Sequence, residues 1–206
     1  VSLRQIGLVR NAGPAAARTP ILFFLDADTI VPQTSLRAAL AALDAGPIGG
    51  PPSAGHGHAD LLSLQCSAFG EPFIVDPGTY CYTADPGWRD HFRSTAAHST
   101  VTIDGVDQAA PAGPFAWHSH PRPRLRRWLS TEALDFADSE HDAYRHLPDP
   151  VTHRRRVLFV KPRFWVIVDD LNGTAEHRID LRFQFAPMHV TLEADLWARA
   201  HGSRGH

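Results

Sequence analysis

The stretch GHGHADLLSLQC (Gly55 to Cys66) places His56, His58 and Asp60 at alternate positions just before an apolar run. In an extended strand, side chains two apart share a face, so these three could converge. Further on, IVDPGTY puts Asp76 at the end of another apolar run, where a buried carboxylate needs a partner. RSTAAHSTV puts His98 just ahead of a third run. Two imidazoles and a carboxylate from separate β segments make an acceptable zinc ligand set, completed by water or a fourth group. The other reading is a hydrogen-bonded Asp–His knot without metal that only holds the fold together. With two cysteines and thirteen histidines in 206 residues, any metal site must draw on His and carboxylate ligands. Cys66 and Cys81 fit no CxxC pattern and read as buried thiols rather than a disulfide.

The elements that must carry these residues change character along the chain. ARTPILFFLDAD reads as a buried parallel strand ending in acids, and VPQTSLRAALAALDAG as a helix stopped at Gly46. From Gly55 onward the text is β. Two extended runs flank Gly-Glu-Pro near residue 71, and HSTVTIDG alternates into an Asp-Gly turn. RRRVLFVKPRFWVIVDDLNG forms two strands around Lys161-Pro162-Arg163. HRIDLRFQFAP alternates strictly, with Ile179, Leu181, Phe183 and Phe185 on one face. Asn172-Gly173-Thr174 matches a glycosylation sequon but reads better as a turn using positive backbone angles. The fold class expected is mainly β, an antiparallel sandwich, preceded by a short α/β strand–helix fragment.

Charge excludes some partners. A formal net charge of −2 carries no general polyanion signature and no call for nucleic acid. HPRPRLRRW and THRRR are locally basic, so a local anionic ligand stays open. The longest apolar stretch is far short of the roughly 20 residues that cross a bilayer, so no membrane span is expected. The opening VSLRQIG has neither an initiator Met nor a basic-then-apolar leader, and the chain is expected to be part of something longer.

From about residue 44 to 187 the text resembles the C-terminal β-sandwich of the heparinase II/III-like polysaccharide lyases, a group that includes related alginate lyases. The residues that carry the resemblance are DAGPIG, GHGHADLLSL, PFIVDPGTYCY, FRSTAAHSTVTIDGVDQ and RRRVLFVKPRFWVIVDDL. The family usually reads His-Asn-Thr where this chain has His98-Ser99-Thr100. The resemblance implies that His58, Asp76 and His98 hold a mainly structural zinc. It implies that His56 projects into a substrate cleft, there to neutralise a uronate carboxylate or help move a proton during β-elimination. Tyr82, or Tyr80 beside it, is a candidate acid or base. Tyr80, Arg89 and Arg93 are candidate substrate contacts, the arginines gripping carboxylate or sulfate through paired hydrogen bonds, with a surface salt bridge as the alternative. The expected partner is an acidic, uronate-containing polysaccharide such as heparin, heparan or alginate. The family's upstream helical toroid, which supplies an asparagine and a tyrosine, is absent here, so the chain alone is expected to be inactive. The resemblance also implies a periplasmic or secreted location.

Residues 1–43 resemble a different family, the A-fold glycosyltransferases, on RNAG, Asp26-Ala27-Asp28 and TIVPQTSLRAAL. There Asp26 and Asp28 would hold a divalent cation against a sugar-nucleotide diphosphate. The segment is too short for a working transferase and reads as a joined remnant, with 44–206 as an incomplete sandwich. Three functions stay open: a lyase-type domain, a non-catalytic carbohydrate-binding scaffold, and a remnant of a glycosyltransferase fusion.

Overall fold

The structure, a computed structural model, describes residues 2–6, 21–26, 40–45, 47–48, 54–68, 71–161, 163–193 and 197–202. Its backbone is set by β9 (Val151–Val160) and β10 (Phe164–Asn172), two strands whose burial alternates residue by residue. Val151, Val157 and Phe159 of β9 and Trp165 and Ile167 of β10 point inward, and Trp165 stacks on Phe159 with centroids 4.4 Å apart. Full burial of each such side chain stabilises by about 1.5–3 kcal/mol.

Around this pair runs an eight-stranded antiparallel sheet. On one side β8 (Leu134–Tyr144) and β7 (Arg124–Ser130) continue it; on the other come β2 (Ile21–Asp26), β1 (Ser2–Ile6), β13 (Trp197–His201) and β12 (His189–Leu192). A three-stranded sheet packs across it: β3 (Leu40–Leu43), β4 (Leu64–Ala68) and β5 (Glu71–Ile74). A two-stranded ladder joins β6 (Val101–Ile103) to β11 (Ile179–Leu181). One core forms where Leu64, Cys66, Phe73 and Ile74 meet Val157, Phe159, Trp165 and Ile167. A second gathers Val101, Ile103, Tyr144, Leu147 and Val151. The antiparallel sandwich expected from the sequence is therefore the observed fold.

Several local expectations are corrected. The helix expected through residue 46 is not what Leu40–Leu43 forms; those residues pair with β4, Leu43 opposite Leu64. Leucine and alanine are good helix formers, but intrinsic propensity is a small free energy per residue, and ladder bonds plus contact of Leu43 with the core override it. The run ending at Asp26 is a strand, but an antiparallel one, held between β1 and β10. An apolar run signals a strand without fixing its direction. Asp26 is the last residue of β2, whereas Asp28 lies outside the described residues. Gly173 does not take a positive φ. The glycine is needed for another reason: a Cβ there would stand 2.9 Å from Asp149 Oδ2. Neither cysteine is in a disulfide, and Cys81 is half-exposed rather than buried. Among the described residues, no helix is long and apolar enough to cross a membrane.

Candidate metal centre

Residues 54–63 are a series of turns, not the strand that alternation suggested. Ala54 and Leu62 take positive φ, 52° and 59°. Gly57 N–H donates to Ala54 O (2.9 Å) and Ser63 N–H to Asp60 O (2.8 Å). Gln108 pins the segment by accepting from Leu61 N–H (2.7 Å) and donating to Leu61 O (3.0 Å). These turns send His58 and Asp60 one way and His56 another, so the three do not converge.

His58 and Asp60 instead meet Asp76 and His98, with one ligand atom from each of the four lying within 4.8 Å of the others. Asp76 follows β5, and its Oδ1 accepts the N–H of Gly78 (2.7 Å), whose φ is +74°. His98 leaves a short 3₁₀ turn, Thr95–Ala97, and is almost fully buried. Its Nδ1 lies 2.7 Å from Ser94 O. A carbonyl only accepts, so Nδ1 carries the hydrogen and Nε2 faces the cluster. From Nε2 the distances are 3.1 Å to His58 Nδ1, 3.3 Å to Asp76 Oδ2 and 4.0 Å to Asp60 Oδ2. Ligands on a tetrahedral zinc with bonds near 2.0–2.1 Å stand about 3.3 Å apart. His58, Asp76 and His98 fit that spacing, and Asp60 sits slightly outside it. The donor set, imidazole and carboxylate, suits zinc.

Electrostatics divide the four groups. Burial, with the neighbouring His98, pushes His58 down to about 4. The hydrogen bond from His98 holds Asp76 below the usual carboxylate range. Burial raises Asp60. Burial also opposes charge on His98, but its hydrogen bond to Asp76 and the charge of Asp60 outweigh it and raise its pKa. Burial therefore disfavours charge on His58 and Asp60, while pairing with Asp76 favours it on His98.

The other residues singled out in the sequence fall into two aromatic groups. His56 is exposed and lies edge-on to Tyr82 (5.6 Å) and Phe115 (6.3 Å), which stack on each other. Tyr80 is 71% exposed, takes φ +61°, and stacks on Phe92 beside Trp88. Arg89 and Arg93 are both fully buried, so neither presents an exposed fork, and Arg93 is ion-paired with the half-exposed Asp90 (2.6 Å). Arg89 donates to Pro114 O and Gly55 O, with its Nη1 unpartnered, and its guanidinium lies 5.1 Å from the Tyr82 ring centre. Arg93 donates to Asp90, Gly113 O and Pro114 O. Their charge is spent inside, shaping the loops under His56 and Tyr82. Sequence reasoning gave Asp60 no ligand role once the resemblance was applied, although its spacing from His58 was the signal. Thr79, whose Oγ1 is 3.3 Å from His58 Nε2, gave no signal.

A family model described as "Heparinase II/III-like, C-terminal" matches residues 22–202. The chain is 24% identical over 137 residues to a heparin-sulfate lyase of Pedobacter heparinus, covering 65% of this chain and 19% of that protein. It is 26% identical over 140 residues to a heparin-sulfate lyase of Bacteroides stercoris, covering 66% and 19%. A solved heparinase III superposes with a TM-score of 0.61 at 19% identity, over 92% of this chain and 25% of that one. The crystal structure of a heparan sulfate lyase from Pedobacter heparinus gives 0.60 at 22% identity, over 75% and 22%. These likenesses concern the fold. The chain spans about a fifth of the length of the curated relatives it matches.

Proposed function

The chain belongs to the heparinase II/III-like C-terminal family, and on that premise we propose that it forms one wall of a polysaccharide lyase cleft acting on uronate-containing glycans of the heparan class. The observation that carries this reading is the separation of two groups of side chains. His58, Asp76 and His98 close on one point, while His56 stays exposed against Tyr82. In β-elimination a base removes the proton beside the uronate carboxylate. The electron pair forms the new double bond, and the glycosidic oxygen leaves with a proton from an acid. His56 is suited to face the carboxylate or pass a proton, and the Tyr82 phenol to donate or accept one. Zinc bound by His58, Asp76 and His98, with Asp60 beside them, would supply a fixed cross-link between three loops. Arg89 acts from below, its positive charge lying close to the Tyr82 ring.

The test has two arms. Elemental analysis of the purified chain is expected to find close to one zinc per molecule. Incubation with heparan sulfate is expected to give binding but no rise in absorbance from unsaturated uronate, because the remaining wall of the cleft is not in this chain. Fusion to the helical domain of a heparan lyase is expected to restore product, and His56→Ala to remove it again. A zinc-free chain whose fusion stays inactive would end this reading.

A second reading rests on the exposed rings of Tyr80 and Trp88. Flat exposed aromatics suit stacking on sugar rings, as in a carbohydrate-binding scaffold. Glycan binding that Trp88→Ala abolishes, with no product in any fusion, would favour it.

A further inference from the structure

A second polar constellation lies inside the sandwich, and none of the roles above uses it. Arg155, His153 and Asp169 are fully buried and His141 nearly so, at inward positions otherwise held by Val157, Phe159, Trp165 and Ile167. Burying an ion pair costs several kcal/mol per charge before its own attraction offsets that. An apolar pair would fill the same positions at less cost, so what this pair touches is informative.

Arg155 and Asp169 are directly opposite each other on β9 and β10. Arg155 Nε donates to Asp169 Oδ1 (2.8 Å) and Nη2 to Oδ2 (3.0 Å), a two-pronged grip that fixes the guanidinium plane. The remaining nitrogen, Nη1, leaves the sheet. It donates to Leu62 O (2.7 Å) and to Ser99 O (2.7 Å). Leu62 comes two residues after Asp60, and Ser99 comes directly after His98. One nitrogen therefore ties together the two loops that carry His58, Asp60 and His98.

The other side of Asp169 is braced as well. Ala143 N–H donates to His141 Nδ1 (3.2 Å), which places the His141 hydrogen on Nε2. That hydrogen points to His153 Nδ1 (3.1 Å), and His153 Nε2–H donates to Asp169 Oδ1 (2.7 Å). Gln108 Nε2, 3.4 Å from His141 Nε2, then faces a second donor and gives one of its two hydrogens to Leu61 O. The row runs in one direction, from β8 through β9 to the carboxylate that orients Arg155.

We propose that Arg155 is the positioning residue of the candidate metal cluster, holding the His58–Asp60 loop and the His98 loop at ligand spacing from beneath. This rests on the metal reading given above, but the anchoring itself does not depend on a bound ion. Asp169, with His153 and His141 behind it, keeps the guanidinium aimed.

The test is Arg155→Lys in the full 206-residue chain. Lysine keeps the charge but cannot grip Asp169 with two prongs and still reach both carbonyls. Hydrogen exchange is expected to quicken in segments 57–64 and 95–101 while β9 and β10 stay protected. Zinc affinity, read by competition with a chelating indicator, is expected to fall about 10–100-fold. Trp165→Phe, which weakens the core without touching either loop, is expected to leave zinc affinity unchanged. If Arg155→Lys does not fold, Arg155→Met with Asp169→Leu removes both charges together, an exchange that buried pairs often tolerate. The same loosening is expected. Unchanged exchange and affinity in whichever variant folds would overturn the proposal. A wild-type chain that binds no zinc, yet shows faster loop exchange on substitution, would remove the metal reading and keep the anchor. A wild-type chain that binds zinc as tightly as the variant would do the reverse.

Discussion

His58 Nδ1 and His98 Nε2 face each other at 3.1 Å, so one of the two nitrogens must carry a hydrogen toward the other. A zinc ion would take the place of that hydrogen. Where that hydrogen belongs to a charged His98, zinc binding must release it, so affinity depends on pH. Because the His98 pKa is raised, the competing proton persists above the usual imidazole value. Zinc affinity is expected to climb as pH rises from about 6 to 8 and to level off beyond it. His58→Ala, Asp76→Asn and His98→Ala are each expected to strip zinc from the purified chain, and His56→Ala to retain it. Zinc per chain before and after each change, with calorimetric titrations at several pH values, checks this.

A different histidine is expected to govern stability. His177 stands between two carboxylates, with Nδ1 2.6 Å from Asp104 and Nε2 2.8 Å from Asp149. Both ring nitrogens must donate, which only the imidazolium can do. Some burial opposes the charge, but the hydrogen bonds to Asp104 and Asp149 outweigh it and raise the pKa. A raised pKa adds stability that is fully present below the unfolded histidine value, about 6.5, and is lost as pH rises through the folded value. Both carboxylates are depressed, so they impose the opposite limit and lose their contribution in acid. His177→Gln is therefore expected to cost most stability near pH 5–6 and little above pH 8. Urea midpoints of the two proteins across that range give the comparison.

How much of this was legible depends on which force won locally. The β9–β10 hairpin could be read because its two apolar runs, on either side of Lys161 and Arg163, agree with its tertiary position. Leu40–Leu43 could not, because its helix-forming residues say nothing of the β4 edge that captures them. In THRRR the outward Arg154 and Arg156 pair with Asp138 and Asp170. Arg155 turns inward, and nothing local marks it as internal. Its partner Asp169 becomes visible only once the strands are in register. The convergence of His58, Asp76 and His98 came from the resemblance. Alternation alone grouped His56 with His58, and the turns at 54–63 undo that grouping.

Tyr144 offers a cleaner stability measurement. Its hydroxyl donates to Val101 O (2.8 Å) inside the second core, and the side chain has no exposed surface. Burial raises its pKa, so the phenol stays protonated across the working range. Tyr144→Phe keeps the ring and strands a buried carbonyl. The expected loss is about 1–2 kcal/mol, without pH dependence between about 5 and 9. Denaturant unfolding at two pH values would show it, and a pH-dependent loss would contradict the assignment.

Gly173 tests the His177 cross-link from its far side. A Cβ at this position would stand 2.9 Å from Asp149 Oδ2, 3.1 Å from Val151 Cγ2 and 3.3 Å from His177 Nε2. Asp149 Oδ2 is the atom that accepts from His177 Nε2, from Thr174 N–H and from Ala175 N–H. An added methyl must move that oxygen and loosen the hydrogen bonds it accepts. The displaced carboxylate also loses its hold on His177, so Gly173→Ala should flatten the same stretch of the pH–stability curve as His177→Gln. Because both changes break one interaction, the double variant is expected to lose less than the sum of the two single losses at pH 5–6, and to approach additivity above pH 8. Four unfolding curves at each pH complete the cycle, and full additivity in acid would mean that Gly173 serves only the turn.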